Sequence, residues 1–277
     1  MHTTTSGTQP DNRFPGCRSA RFFVGASRPR SSTPQFTTPM SATAWRSRRA
    51  RATEETVRLM HAQPPVAAVV GWADFTSPKM EEAIHELRSN APGRAPLVGL
   101  RHQAQDEPDP NWLIRADVIR GLSAATRQDL VIDLLVRPPQ WRAALSLVNA
   151  LPDATFVLDH AGKPPITDRQ DAAYRTWLAW IQQLALRPNV ACKISGLVSE
   201  AREAWRTAPV DAYVRDCVET FGPNRTMFGS DWPVSSEFAA YDEVVHSTTS
   251  ALAGFDTIER DLVLSGTAQR VYLDRAH

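Results

Sequence analysis

Six apolar, strand-like runs recur along most of this 277-residue chain, and their spacing constrains its fold more than any other feature. The runs occupy residues 66–75, 97–102, 130–136, 155–160, 190–196 and 225–231. Their starts lie 31, 33, 25, 35 and 35 residues apart, which is about the length of one strand-and-helix unit. Nearly continuous apolar runs are typical of parallel strands covered on both faces. The spacing therefore predicts an α/β fold with a parallel sheet.

Helical patterns fill the intervals between these runs. They cover residues 77–90, 112–128, 140–151, 171–186, 210–221, 237–252 and 257–272. Single strands alternating with helices fit either a (β/α) barrel or an open doubly wound sheet. Polar side chains gather where four of the runs end, at Arg101-His102, Arg137, Asp159-His160 and Asp231. Functional side chains at several strand ends are what a TIM-type barrel presents at its catalytic face, so the barrel is favoured.

Composition excludes several other functional classes. The net charge of +1 gives the whole chain no strong field for nucleic acid, and no apolar stretch is long enough to span a membrane. The three cysteines form no CxxC pair, so neither a disulfide scaffold nor a cysteine zinc cluster is expected. The expected location is the cytoplasm, which is a reducing compartment. No GxGxxG or GxxxxGK[ST] motif indicates a nucleotide cradle.

Residues 1–51 differ from the rest of the chain. They hold nine arginines and one acid, Asp11, a formal charge of +8, so the remaining residues carry −7. Twenty of the first 50 residues are Ser, Thr or Pro. A segment without periodic apolar residues buries too little surface to offset its ordering entropy. The sequence therefore predicts a disordered basic arm over 1–51 and a barrel domain over 52–277.

Three interpretations of this arm stay open. An Arg- and Ser-rich, acid-poor segment is typical of a mitochondrial-type targeting peptide. A basic arm can also bind nucleic acid. The third interpretation is an out-of-frame translation, since the chain has only three lysines against its many arginines, as GC-rich coding produces.

Three motifs of the barrel domain resemble a known family. They are Leu158-Asp-His-Ala-Gly-Lys-Pro164, Lys193-Ile-Ser-Gly196 and Met227-Phe-Gly-Ser-Asp-Trp-Pro-Val234. Together they resemble the amidohydrolase-related family of metal-dependent-hydrolase barrels, and within it the fuconolactonase-like branch of sugar-lactone and pyrone-lactone hydrolases. Residues 98–102 and 133–137 agree in order and spacing. The resemblance covers residues 53–277 and implies a TIM-type barrel that hydrolyses a small-molecule lactone.

The chain departs from that family pattern near its N-terminus. The family has eight strands, of which the first ends in a His-x-His pair, and the six runs found here include neither that strand nor the second. No His-x-His occurs in the sequence. The expectation is therefore a barrel lacking its first two strands. The resemblance implies a divalent metal, zinc, in complete relatives, whereas no metal ligand is assigned in this chain.

The resemblance also implies roles for individual residues. Asp231 is the expected general base and His160 the group that polarises the lactone carbonyl. The expected substrate-binding residues are His102, Arg101, Arg137 and Trp232. Lys193 is expected to make a salt bridge, and Asp159 is expected to face away from His160 because adjacent strand residues alternate. His102, His160 and Asp231 are predicted to converge on one pocket.

Two alternatives to the lactonase remain. One is a non-catalytic remnant of the same barrel, because missing strands leave open edges and an incomplete site. The other is a binding protein whose basic arm contacts nucleic acid, although the near-zero net charge disfavours that partner. A homo-oligomer is compatible with the sequence, and no membrane partner is expected.

Overall fold

A single parallel sheet organises the chain. The computed structural model describes residues 21–24, 53–54, 56–58, 60, 66–89 and 95–275, and their seven strands are hydrogen-bonded in chain order. The strands are β1 (Arg21–Val24), β2 (Val66–Gly71), β3 (Leu97–His102), β4 (Val131–Leu134), β5 (Phe156–Leu158), β6 (Val190–Ile194) and β7 (Thr226–Phe228). The sheet curls into part of a barrel. The predicted α/β partial barrel is therefore confirmed, with its six runs as β2 to β7.

Strand β1 was not predicted. Its backbone pairs in parallel with β2, Arg21 opposite Val66 and Val24 opposite Val70. It contains Phe22-Phe23-Val24, which is the longest apolar run of the first 51 residues. The composition of the predicted arm did not indicate this strand. The other residues of the predicted arm, up to residue 51, lie outside the part that the structure describes, and the boundary at 51/52 stays a prediction.

Helices lie between successive strands from β2 onwards, and two more follow β7. They are α1 (Met80–Ser89), α2 (Ala116–Arg127), α3 (Trp141–Ala150), α4 (Ala172–Ala185), α5 (Leu197–Ala201), α6 (Val210–Phe221), α7 (Tyr241–Ala251) and α8 (Thr257–Asp261). Two π-helical segments, Leu262–Gly266 and Gln269–Leu273, continue from α8. All seven predicted helical patterns contain a helix. Helix α5 was not predicted, and none of the helices in the described residues is both long and apolar enough to cross a membrane.

Apolar side chains form separate clusters on the two faces of the sheet. One large cluster lies between the sheet and the helices, with Phe156, Trp177 and Tyr213 fully buried in it. A smaller cluster takes one or two residues from each strand after β1 and packs them against Ala268 and Tyr272 of the C-terminal segment. Residues of β4, β5 and β6 alternate between these clusters, as the pleat of a strand requires. The smaller cluster marks the interior of the partial barrel, and the C-terminal segment helps to cover it.

Candidate active site

His160 and Asp231 meet at the carboxyl ends of β5 and β7. Nε2 of His160 lies 3.8 Å from Oδ1 of Asp231, and both side chains are about nine-tenths buried. Parallel strands direct their carboxyl ends to one edge of the sheet, which is where barrel active sites form. The two residues expected to carry the chemistry are thus brought together, and their catalytic roles remain a proposal.

Left-handed backbone at both residues aims their side chains inward. His160 has φ 54° and ψ 38°, Ala161 has φ 50°, and Asp231 has φ 54°. Non-glycine residues adopt this region rarely, and it concentrates at functional sites. Because the chain leaves the strand geometry at His160, Asp159 and His160 both face the interior. The expectation that Asp159 faces away from His160 is therefore wrong.

Two serine hydroxyls from one short segment hold this pair. Ser195 Oγ lies 2.8 Å from Nδ1 of His160, and Ser199 Oγ donates to Oδ2 of Asp231 at 2.7 Å. Ser195 directly follows β6, and Ser199 lies on α5. Ser195 falls within the quoted Lys193-Ile-Ser-Gly196 motif and shares the strand face of Lys193, so alternation could have found it. No sequence signal indicated Ser199.

A buried charged layer lies one residue deeper in the barrel. Lys193 Nζ bridges Asp133 Oδ2 at 2.8 Å and Asp159 Oδ1 at 2.6 Å. Arg101 binds Asp159 at 2.9 Å, and the Tyr272 hydroxyl donates to both oxygens of Asp133. Two cations therefore balance two carboxylates. The expected salt-bridging role of Lys193 is confirmed.

Burial and pairing set the ionisation of this layer. Burial raises the pKa of Asp133 to about 6. Although burial alone would raise it, Lys193 and Arg101 hold the pKa of Asp159 below its ordinary range. Burial would lower the pKa of Lys193, but Asp133 and Asp159 together raise it. Burial lowers the pKa of His160. At pH 7 the layer is charged, whereas the imidazole above it is neutral.

The contribution of Asp133 to stability is expected to fall as the pH rises from about 4 to about 6. The folded state keeps a proton on Asp133 up to about pH 6, whereas an unfolded Asp loses it near pH 3.9. The folded state therefore binds more protons across this window, and raising the pH favours unfolding by up to about 3 kcal/mol. Urea unfolding at pH 4.5, 5.5, 6.5 and 7.5 measures this decline. Asp133→Asn should remove it, and an unchanged decline in that variant would assign it to other groups.

Exposed polar residues surround the mouth of the site. Arg137 is 45% exposed and lies 3.5 Å from Glu200, which also binds Lys163 Nζ at 3.0 Å. Trp232 follows Asp231 and is 47% exposed. Arg137 follows β4 and Trp232 follows β7, so both lie at the edge of the sheet where barrel enzymes bind their ligands. Their expected substrate contacts remain proposals. Lys163 and Glu200 were not predicted as site residues, although Lys163 lies in the Ala-Gly-Lys-Pro motif.

His102 does not share this pocket, which corrects the predicted convergence of three residues. Arg101 faces the interior, so its neighbour His102 faces the helices. The His102 ring stacks on Trp112 with centroids 4.2 Å apart, and its Nε2 lies 2.7 Å from Glu107 Oε1. Phe75 packs beside it. Since the ring is 3% exposed, it is part of the apolar core and not a wall of the site.

Gly196 fits against the His160 ring with no room for a side chain. Its φ is +65°, and a Cβ there would lie 2.7 Å from Nδ1 of His160. We expect Gly196→Ala to reduce the free energy of unfolding by about 1–2 kcal/mol from backbone strain alone, and to displace the imidazole. Gly254→Ala is the matched control, because a Cβ at that position has nothing within 4 Å. Urea unfolding measures both variants. Equal unfolding midpoints would show that the backbone at residue 196 accommodates a Cβ without loss of stability.

The described residues do not form a zinc site. Among them, no group of three His, Cys, Asp or Glu side chains could hold a metal ion. His160 and Asp231 supply two donors, whereas a zinc ion in a protein takes at least three protein ligands.

The sequence of this chain matches a known protein family. The amidohydrolase family model matches residues 2–273.

The chain belongs to the amidohydrolase family.

It is 39% identical over 217 residues to an L-fucono-1,5-lactonase of Burkholderia multivorans, a match that covers 75% of this chain and 71% of that protein. An L-fucono-1,5-lactonase of Burkholderia ambifaria is 38% identical over 170 residues, which are 61% of this chain and 56% of that protein. A crystal structure of a Burkholderia multivorans amidohydrolase with bound zinc is 36% identical, with a TM-score of 0.72 over 79% of this chain and 78% of that one. The chain thus spans from just over half to about seven-tenths of the two curated relatives.

Proposed function

We propose that this amidohydrolase opens a sugar lactone, with Asp231 as general base and His160 as the group that activates the carbonyl. The observation that carries the proposal is the 3.8 Å approach of His160 Nε2 to Asp231 Oδ1 at the strand ends. The relatives named L-fucono-1,5-lactonases support a six-membered sugar lactone as the substrate. A pyrone-type lactone is the other ring that the sequence resemblance implied.

The reaction is an ester hydrolysis within a ring. The Asp231 carboxylate takes a proton from water as the water oxygen attacks the lactone carbonyl carbon. The carbonyl oxygen of the resulting tetrahedral intermediate carries the negative charge. When that intermediate collapses, the bond from the carbonyl carbon to the ring oxygen breaks. Asp231 returns its proton to the departing ring oxygen, so the product is an open-chain hydroxy acid.

His160 is suited to stabilise the developing negative charge. Burial lowers its pKa, so the imidazole is neutral at pH 7 and carries one N–H group. Nε2 is the ring nitrogen near Asp231, and an N–H there can donate a hydrogen bond to the carbonyl oxygen. A fixed donor at the position of a developing oxyanion costs no reorganisation during the reaction.

Three residues are proposed to contact the sugar ring or its hydroxyl groups. The guanidinium of Arg101 holds Asp159 through Nη1, and a guanidinium has five N–H donors in all. Arg137 and Trp232 lie at the exposed rim, where Trp232 offers an apolar face to the ring and Arg137 a cation. His102 is left out of this set because its ring lies in the apolar core.

The direct test is acid release from L-fucono-1,5-lactone by the purified full chain. A saturable rate above spontaneous hydrolysis, absent with an inert protein at equal concentration, is the expected result. No acceleration with this lactone or with a pyrone lactone would favour the non-catalytic remnant. Salt-dependent retention of the full chain on DNA would instead support the binding-protein alternative.

A further inference from the structure

The segment from Ser195 to Glu200 contacts the His160–Asp231 pair and two cations beside it. Ser195 reaches His160, Ser199 reaches Asp231, and Glu200 binds both Lys163 and Arg137. Within it, Gly196 takes a left-handed φ of 65°, which turns the chain from β6 directly into α5. One stretch of six residues therefore fixes side chains that come from the ends of β4, β5 and β7.

The direction of the Ser195 hydrogen bond decides which chemistry His160 can perform. A neutral imidazole has one N–H and one lone pair on its two ring nitrogens. If Ser195 donates to Nδ1, the proton is on Nε2, and His160 can donate to a carbonyl oxygen. If Nδ1 donates to Ser195, Nε2 presents a lone pair and cannot do so. The hydrogen bond made by one nitrogen thus sets the state of the other.

Two features of the site favour donation by Ser195. First, Nε2 faces the Asp231 carboxylate at 3.8 Å, and a nearby negative charge favours the proton on that nitrogen. Second, Ser195 is 5% exposed, and among the described residues Nδ1 is the acceptor that its hydroxyl reaches. If Ser195 accepted instead, its own buried O–H would be left without an acceptor, which is costly.

Ser199 fixes the other half of the pair. Its hydroxyl donates to Oδ2 of Asp231 at 2.7 Å, which leaves Oδ1 on the side of the carboxylate that is nearer to His160. A hydrogen bond at one oxygen restricts rotation of the carboxylate, so the lone pairs of the other oxygen point in fixed directions toward an attacking water. Misplacement of a reacting group by about 1 Å lowers the rate on the order of 10²-fold.

We propose that Ser195 and Ser199 are the positioning residues of this site: Ser195 holds His160 as the Nε2–H tautomer, and Ser199 holds Asp231 with Oδ1 toward the substrate. The mechanistic part rests on the proposed lactone hydrolysis. The tautomer and the orientation of the carboxylate do not, because they are properties of the free protein.

The tautomer is measured by nitrogen NMR of the full chain labelled with ¹⁵N-histidine. The protonated and unprotonated ring nitrogens have widely separated shifts, and the His160→Gln variant assigns the His160 signals among the seven histidines by their disappearance. We expect Nε2 of His160 to be protonated at pH 7.5, and Ser195→Ala to mix in the other tautomer. A protonated Nδ1 in the unsubstituted chain would overturn the proposal whether or not the chain hydrolyses lactones.

Kinetics test the positioning role of Ser199. With L-fucono-1,5-lactone we expect Ser199→Ala to lower kcat about 10²-fold with KM changed less than about threefold, and Ser199→Thr, which restores the hydroxyl, to recover most of kcat. Ser123→Ala is the matched control, because it removes a half-buried helix hydroxyl that donates to the Ile119 carbonyl.

Each outcome of these experiments has a separate meaning. An active chain in which Ser199→Ala keeps full kcat would sink the positioning role and leave the lactonase standing. An inactive chain with Nε2 protonated would sink the lactonase and leave the role of Ser195 standing. If Ser199→Ala does not fold, Ser199→Thr and Ser199→Cys are compared instead. A thiol is a weak hydrogen-bond donor, so an equal kcat for these two variants would contradict the proposed role of the hydroxyl.

Discussion

Asp231→Asn is expected to lower kcat/KM for lactone hydrolysis about 10³-fold, within the range of a lost general base. An amide has no basic oxygen to take the proton of the attacking water. The backbone should survive the change, because asparagine tolerates the left-handed φ of 54° that Asp231 adopts. The amide oxygen can still accept from Ser199. The loss should therefore appear in the rate and not in the unfolding midpoint.

Asp153→Asn is the matched control for this variant. Asp153 lies in an exposed turn before β5, so the same chemical change there should leave both activity and stability unaltered. Activity of Asp231→Asn within threefold of the unsubstituted chain would show that another group takes the proton, and the proposed mechanism would then be wrong.

Lys193→Met is expected to lower the free energy of unfolding by about 3–5 kcal/mol, the largest stability effect anticipated for a single substitution in this site. Methionine fills a similar volume, so the loss is electrostatic. Asp133 and Asp159 are fully buried and both bind Lys193 Nζ. Without that ammonium, two carboxylates remain in the interior with one cation, Arg101, between them. Urea unfolding at pH 7 measures the effect.

Two further variants identify the cause of this loss. Lys79→Met places the same substitution on an exposed lysine and should cost little. Adding Asp133→Asn to Lys193→Met removes one unpaired carboxylate and should recover part of the lost stability. A double variant no more stable than Lys193→Met alone would assign the loss to packing and not to unpaired charge.

The sequence predicted the fold correctly in the segments that contain continuous or periodic apolar residues. Strands β2 to β7 and the longer helices follow from runs and periods that burial on both faces requires. Helix α5 has five residues, too few for a period of 3.6 to become visible. Strand β1 has four residues within an Arg- and Ser-rich segment, so its composition indicated disorder instead.

The candidate site was readable only in part, because strand alternation does not say which face is the interior. Arg101 and His102 are neighbours at the end of β3, and the resemblance favoured His102, whereas Arg101 faces the barrel. The left-handed turn at His160 breaks alternation altogether, so Asp159 and His160 both face inward. No pattern in one sequence reports a left-handed φ at a residue other than glycine.

The charged layer beneath the site has a consequence for heating. Hydration of ions becomes less favourable as temperature rises, so the desolvation cost of burying them falls, while apolar burial gains little more. The ion pairs of this layer should therefore contribute a growing fraction of the free energy of unfolding as the temperature rises. The layer consists of Asp133, Asp159, Lys193 and Arg101. When the protein is heated, this charged layer should therefore be among the last parts of the sheet to unfold. The exposed region around Arg137 and Trp232 should lose its structure earlier.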